Sequence, residues 1–358
     1  MPRATATRAA RQTAKSKPAK AGVPTTRPGR RPTRARSPAA ELAKVAQDGG
    51  LTLVLGAGIS LSHGVPGWTA LVEQLWREAF ADQPLPEGSP LWQSPAIALE
   101  RISQVLGPDR FVKALRTHLY RGLRRPSRAW LRDGRDTLSV LARVLTREHA
   151  LGPKRRIQRV ITFNADDLLE RACAALSPRS PVLKVVARAS QHPERGTGTQ
   201  PIPCYHLHGY LPAPGNGRWH QESPDTLVFT EAQYWRAVAT PLSFANRVMS
   251  FALHDTRCIF VGLSMTDLNV LRWLALRADE LTADKRSQFS AAPDESPART
   301  TRAVRRALQR HYWIHSGGDD PGGHLASHLE TRGILSVLLK SGWGSNDFAE
   351  LWDSVLPG

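Results

Sequence analysis

The sequence predicts an α/β fold: a mostly parallel sheet with helices on both faces, a helical insert and an N-terminal tail outside the fold. Three observations predict it. Short continuous apolar runs, such as 51–55 and 258–261, have the length of strands buried on both faces. Segments with apolar residues at helical spacing separate those runs, as in βαβ units. Glycine follows two of the runs at once, at Gly56 and Gly262, which places sharp turns at strand ends.

Order is expected to begin at Ser37-Pro38, a helix cap followed by proline at the first helical position. The helix 39–47 should end at Asp48-Gly49-Gly50. Strand 51–55 and its glycine turn lead into a helical pattern carried by Leu71, Leu75, Trp76 and Phe80. Residues from about 90 to 150 read as a helical insert, with helices at 111–119 and 138–145. A strand at 160–162, a helix at 166–176 and a strand at 183–186 follow. Further strands are expected at 204–208 and 226–229, then helices at 231–238 and 242–254. After strand 258–261 comes a helix at 267–280 and a polar, Pro/Ser-rich loop over about 283–300. The chain should close with strands at 311–314 and 334–338 and a helix at 347–355. The domain therefore runs from 37 to 358, without an internal repeat.

The 358 residues carry a net charge of +18, unevenly placed. Residues 1–40 contain eleven Lys or Arg and no acid, which leaves +7 for the rest. Prolines at 2, 18, 24, 28 and 32 and the lack of an apolar face make residues 1–36 a disordered basic tail. Such a tail is either a solubilising leader or an arm for nonspecific nucleic-acid contact. No run approaches the roughly 20 apolar residues of a membrane span, so no membrane partner is expected. The three cysteines, Cys173, Cys204 and Cys258, form no C-x-x-C pair. That argues against a structural zinc site and a disulfide framework, and suits a cytoplasmic location.

Gly56-Ala57-Gly58-Ile59-Ser60 stands directly after a buried strand. Such a turn lets backbone N–H groups approach a pyrophosphate. By itself it is a weak sign. Position 61 is Leu, which breaks the G-x-G-x-x-G fingerprint, and no Gly-Lys-Ser/Thr follows to make a P-loop. Cys204, His206 and His208 alternate along one run and mimic a metal-ligand set, but no fourth ligand is evident, so no metal is expected.

Four segments together carry more. Gly56-Ala57-Gly58-Ile59-Ser60 with Gly64-Val65-Pro66 resembles the sirtuin signature G-A-G-I-S-x-x-x-G-I-P. Thr162-Phe163-Asn164-Ala165-Asp166 resembles the family's T-x-N-x-D element, and Leu207-His208-Gly209 its H-G. Val261-Gly262-Leu263-Ser264 resembles the later glycine–serine loop. They occur in the family's order over about residues 50–280. The resemblance implies a Rossmann-like domain that takes NAD as substrate. It assigns NAD contacts to Gly56, Ala57, Gly58, Ile59, Ser60, Pro66, Asp166, Gly262, Ser264 and Asp267.

The departures point to a branch. Protein-deacylating sirtuins usually carry a four-cysteine zinc module, which three scattered cysteines cannot build. Gly67-Trp68-Thr69 stands where they have F-R. The segments 164–170, 229–234 and 264–269 resemble bacterial sirtuin-like effectors of antiphage defence, which hydrolyse NAD to ADP-ribose and nicotinamide. The resemblance implies His208 as general base, Asn164 as the holder of ribose and water, and Asp166 as acceptor for the nicotinamide amide. Imidazole suits the base role because its ordinary pKa lies near neutrality. An effector of this kind must be held inactive, through a homo-oligomer or a separate sensor such as a DNA-translocating ATPase or a short Argonaute. Two alternatives stay open: an NAD-dependent protein deacylase, and a non-catalytic scaffold for nucleotide or nucleic acid.

Overall fold

The computed structural model describes residues 37–191, 199–214, 224–290 and 311–357. The expected tail, residues 1–36, lies outside the described residues, as do residues 291–310. Seven strands form one all-parallel sheet: β1 (Leu51–Leu55), β2 (Ile157–Thr162), β3 (Leu183–Val186), β4 (Ile202–His206), β5 (Arg257–Val261), β6 (His311–Ser316) and β7 (Ile334–Leu339). Their spatial order is β3-β4-β2-β1-β5-β6-β7. From β1 the chain first builds outward on one side, then returns across to place β5 on β1's other edge. The crevice between β1 and β5 is therefore the switch point at which open α/β sheets bind ligands.

All five residues of β1 are buried, and its side chains divide between two cores. Leu51, Leu53 and Leu55 join one cluster and Val54 the other. In β5 Ile259 and Val261 face the first cluster, Cys258 and Phe260 the second. A continuous apolar run is thus a period-two pattern feeding two layers at once. The polar interruption in β1, Thr52, is satisfied by a buried 2.6 Å hydrogen bond between its hydroxyl and that of Thr256.

The first core is closed by α1 (Pro38–Ala46), α2 (Trp68–Ala79), the insert helices α3 (Pro95–Leu106), α4 (Pro108–Tyr120), α5 (Arg128–Asp133) and α6 (Thr137–Ala150), and α7 (Leu168–Leu176). The second is closed largely by α9 (Phe244–Asp255) and α10 (Leu268–Ser290), with α8 (Glu231–Ala239) leaning on α9. Helices α11 (His324–Thr331) and α12 (Asp347–Val355) follow β6 and β7. Local chemistry sets several helix starts. The Ser37 hydroxyl accepts from Ala40 N–H ahead of Pro38, Asp136 accepts from Ser139 N–H, and Thr230 with Gln233 forms a capping box. Among the described residues no helix is long and apolar enough to cross a membrane.

Three expectations are corrected. Strand 226–229 is absent: Leu227, Val228 and Phe229 are buried as a loop, and Val228 N–H donates to the His208 carbonyl rather than to a ladder. The strand expected at 204–208 stops at His206, so His208 sits in a turn beyond the sheet. The polar segment expected as a loop from 283 continues α10 as far as Ser290; its remainder, 291–300, lies outside the described residues. Its first stretch is rich in good helix formers, and polarity alone does not end a helix.

Candidate functional site

Parallel strands deliver their C-terminal ends to one edge. Leu55 at the end of β1 pairs with Thr162 of β2 and Val261 of β5, and Thr162 pairs with His206 of β4. The loops beginning at Gly56, Phe163, Leu207 and Gly262 therefore converge. They border a cavity of about 540 Å³, within the usual range for small-molecule sites. The insert supplies Gln93–Ala96 and Leu119 to its wall, and Leu61, Trp68 and Phe229 make an apolar side. The Trp68 and Phe229 rings lie 5.3 Å apart.

The first glycine loop does not pass straight into a helix. It winds through two 3-10 turns, Ala57–Ile59 and Leu61–His63, before α2 starts at Trp68. Gly56 N–H donates to Val261 O and Gly58 N–H to Gly262 O, both at 3.0 Å, which seals the two loops together. A Cβ on Gly58 would stand 2.7 Å from Gly262 Cα, so only glycine permits this approach. The Ile59 and Ser60 amides close the 3-10 turns. Ala57 borders the cavity, and its amide has no such bond among the described residues.

Of the residues read from sequence, Gly56, Ala57, Pro66, Asn164, Asp166, His208, Gly262, Ser264 and Asp267 all border the cavity. Gly58, Ile59 and Ser60 do not. Gly58 is a packing contact, Ile59 is core, and Ser60 is fully buried with its hydroxyl donating to both Asp166 oxygens at 3.1 and 3.2 Å. Asp267 has its own structural work. One oxygen caps α10 through the Asn269 and Val270 amides, and the other accepts the Tyr234 hydroxyl at 2.9 Å. Ser264 is exposed, with its hydroxyl 2.9 Å from that of Thr266.

Asn164 is 8% exposed. Its amide nitrogen donates to Gly56 O at 3.1 Å and to the Ser60 hydroxyl at 3.4 Å. Those donors are spent on the glycine loop, and the amide oxygen is the group left to act on a ligand. Gly209, at φ +83°, turns the chain after His208; a Cβ there would lie 2.6 Å from Thr226 O. The His208 ring meets Phe163 edge-on at 5.0 Å and Tyr234 at 5.3 Å. Burial among these rings lowers its pKa to about 4, against a smaller upward pull from Asp267. The imidazole is neutral at pH 7, well below the near-neutral pKa expected for it.

Asp166 moves the other way. Burial raises its pKa to about 6 despite the Leu168 amide and Ser60 hydroxyl that favour the anion. A carboxyl held above its unfolded value of 3.8 stabilises the fold only while protonated. Stability therefore falls as pH rises from about 4 to 6, and the deficit persists above that. Asp166→Asn is expected to be more stable than the parent at pH 7 by up to about 3 kcal/mol, with the gap closing toward pH 4. Urea unfolding at the two pH values measures it; equal midpoints at pH 7 would remove the strain assigned to this carboxylate.

Sequence reading did not single out the pair beneath Asn164. His206 Nδ1 donates to the Asn164 carbonyl and Nε2 to Glu170 Oε1, both at 2.9 Å, with both side chains buried. Two acceptors on one ring require the imidazolium. Burial by itself would lower the His206 pKa, but Glu170 outweighs it and the net shift is upward. Burial likewise pushes Glu170 up, and His206 brings it below the usual range. The alternating Cys204-His206-His208 ligand pattern does not form: His208 leaves the strand, and Glu170 completes a buried group with Cys204 and His206 whose donor atoms lie within 4.8 Å of one another. The His206 nitrogens are both committed to hydrogen bonds there. The spacing Asp166–Glu170, one helical turn, and the alternation His206–His208 are the only traces of this pair in the sequence.

Tyr120 of the insert also anchors this loop. Its hydroxyl donates to Leu211 O at 2.7 Å and accepts the Asp167 amide at 3.1 Å. Asp167 in turn holds Arg171 at 2.7 Å.

No curated protein matches the chain. Residues 158–317 match the SIR2-like domain family. The matched span begins in β2 and includes Asn164, Asp166, His208 and Gly262; the Gly56–Pro66 loop precedes it and is joined to it by the Gly56–Val261 and Gly58–Gly262 bonds. The chain therefore carries a SIR2-like domain, in keeping with the sirtuin-like family to which its motifs point.

Proposed function

We propose that this chain is an NAD glycohydrolase, which splits the nicotinamide–ribose bond with water to give ADP-ribose, nicotinamide and a proton. A SIR2-like domain points to NAD-related chemistry in general. The observation that carries the finer reading is the buried, neutral His208 beside Asn164 and Asp166 in one cavity at the sheet's switch point. A cavity of about 540 Å³ is in the range of small-molecule sites and supports a ligand of this size class. Ala57 borders it, and its amide, unbonded among the described residues, is available to a phosphate oxygen; the apolar wall suits a base. Asp166 and Asp267 favour a cationic ring.

Loss of neutral nicotinamide leaves oxocarbenium character on the ribose. The Asn164 amide oxygen accepts a hydrogen bond from the attacking water, and Asp166 accepts from the carboxamide of the leaving group. As the water's oxygen bonds to the anomeric carbon it becomes strongly acidic. A base with a pKa near 4 is then sufficient to take its proton, and His208 passes it to solvent. The aromatic enclosure by Phe163 and Tyr234 keeps competing water away.

Hydrolysis rather than deacylation is supported by the cysteines. All three are buried, in α7, β4 and β5, and do not assemble the four-cysteine zinc module usual in deacylating sirtuins. Uncontrolled hydrolysis would drain a cell's NAD, so the activity has to be gated. We place that gate in self-assembly or in a separate sensor of ATPase or Argonaute type, as in a triggered antiphage effector. Incubation of the protein with NAD, with and without an acylated peptide, tests the reading. Nicotinamide released without peptide supports it. Release only with peptide makes the chain a deacylase, and none at any protein concentration or with any activator makes it a scaffold.

Asn164→Ala is expected to lower turnover by roughly 10²-fold or more, through loss of the water's acceptor and of the tie to Gly56. Asn164→Asp should not restore it, because the donors to Gly56 and Ser60 are gone and a charge is buried. Steady-state nicotinamide release by all three proteins checks this; equal rates would remove Asn164 from the mechanism.

A further inference from the structure

A histidine acts as a base only through the nitrogen that carries no proton, and that choice is made by what the other nitrogen bonds to. His208 Nδ1 is buried and has no hydrogen-bond partner among the described residues. The ring borders a second, small cavity of about 10 Å³, roughly one water in size. Its wall is apolar over Leu207, Val228, Ala245 and Trp273, and contains one other polar side chain, Asn269.

Three other polar groups there are already committed. Trp273 Nε1 donates to Asn246 Oδ1 at 2.8 Å, and the Ala237 carbonyl accepts the Ser243 hydroxyl at 2.8 Å. Val228 N–H bonds to the His208 carbonyl at 3.1 Å. Asn269 is 7% exposed. Its backbone amide is held by Asp267 Oδ1 at 2.8 Å, which fixes where its side chain starts, while the side-chain amide has no bond of its own among the described residues. His208, whose buried Nδ1 lacks a partner among the described residues, and Asn269 thus line one water-sized space, and buried polar groups are almost always bonded, directly or through water.

We propose that Asn269 is a positioning residue for His208, acting through a single water in this cavity. The Asn269 oxygen accepts from the water, and the water's oxygen accepts Nδ1–H. That leaves Nε2 unprotonated as the nitrogen for the larger cavity. The proposal rests on His208 serving as the base in the reading above. It also gives a ring enclosed by Phe163 and Tyr234, neither of which bonds it, one fixed tautomer.

The experiment is ¹⁵N spectroscopy of the unliganded, histidine-labelled full chain at pH 7, paired with steady-state NAD turnover. Wild type should show the Nδ1–H tautomer of His208, identified by its loss in His208→Ala. Asn269→Asp keeps an oxygen in place and should keep that tautomer. Asn269→Leu should convert it to a mixture, and kcat should fall by roughly 10- to 100-fold, the range for losing an orienting partner, with KM within about twofold. Asn269→Ala, which cannot clash, is read in the same way should the Leu variant not fold. An unchanged His208 tautomer in the Leu and Ala variants overturns the proposal. If wild type releases no nicotinamide while the tautomer still shifts, the hydrolase reading fails and the water link stands.

Discussion

Nicotinamide release from NAD is expected to fall by roughly 10²–10⁴-fold in His208→Ala, the usual cost of losing a general base. The protein should still fold. Among the described residues the His208 side chain has no hydrogen bond to lose, and its removal relieves a buried ring whose charged form burial disfavours. NAD affinity should be largely retained, because the glycine loops and Asn164 are held by bonds that do not pass through this ring. The pH profile supplies an independent check. With a pKa of about 4, His208 stays neutral through the whole range from pH 5 to 8, so wild-type turnover should show no acid limb near 6.5 from this group. A His208→Ala enzyme with near-parental turnover would take His208 out of the mechanism. An acid limb near 6.5 that disappears in the variant would contradict its desolvated state.

The largest expected loss of stability lies beneath the site, at Glu170 and His206. Glu170→Ala should destabilise the fold by about 3–5 kcal/mol, since it leaves a buried imidazolium without its counter-charge. That is a large share of the roughly 5–15 kcal/mol that holds a typical domain together. The pH dependence follows from the two shifts. Glu170 is lowered, so its contribution is present above its unfolded value of 4.5 and is lost as pH falls through its folded value. His206 is raised, so its contribution is full below its unfolded value of 6.5 and is lost as pH rises through its folded value. The advantage of the parent over Glu170→Ala should therefore be greatest between about pH 4.5 and 6.5. Replacing both partners together, as Glu170→Met with His206→Leu, should recover much of the stability because no charge is left buried. It should not recover turnover, because the Asn164 carbonyl loses the donor that holds it. Chemical unfolding across pH and turnover of the three proteins are the measurements. Full activity in the double variant would show that the pair serves the fold alone.

Much of the architecture was legible in the chain. Strands Leu51–Leu55 and Leu183–Val186 and the helix Asp347–Val355 lie where their patterns put them. Apolar periodicity and caps are local, and burial only reinforces them. The segment 226–229 shows where pattern misleads. Leu227 and Phe229 are buried by the insert core, and the backbone between them serves the His208 turn, so apolarity there reports contact rather than extension. The family motifs likewise marked candidate residues, most of which border the cavity, without stating what each does. Gly58 and Ser60 stand in the same motif as Gly56, yet Gly58 spaces two loops and Ser60 bonds Asp166 behind the cavity wall.

The sequence by itself determined the α/β sheet and the glycine loops at its edge, and offered Asn164, Asp166 and His208 as candidates that the fold brings to one cavity. Only the tertiary structure decided that Glu170 and His206, 36 residues apart, meet under Asn164, which requires β4 to lie against β2. It also decided that Asp166 titrates near 6 and His208 near 4. Those values come from how much water each group loses and which charges face it, and desolvation is a property of what surrounds a residue in space, not of its neighbours along the chain.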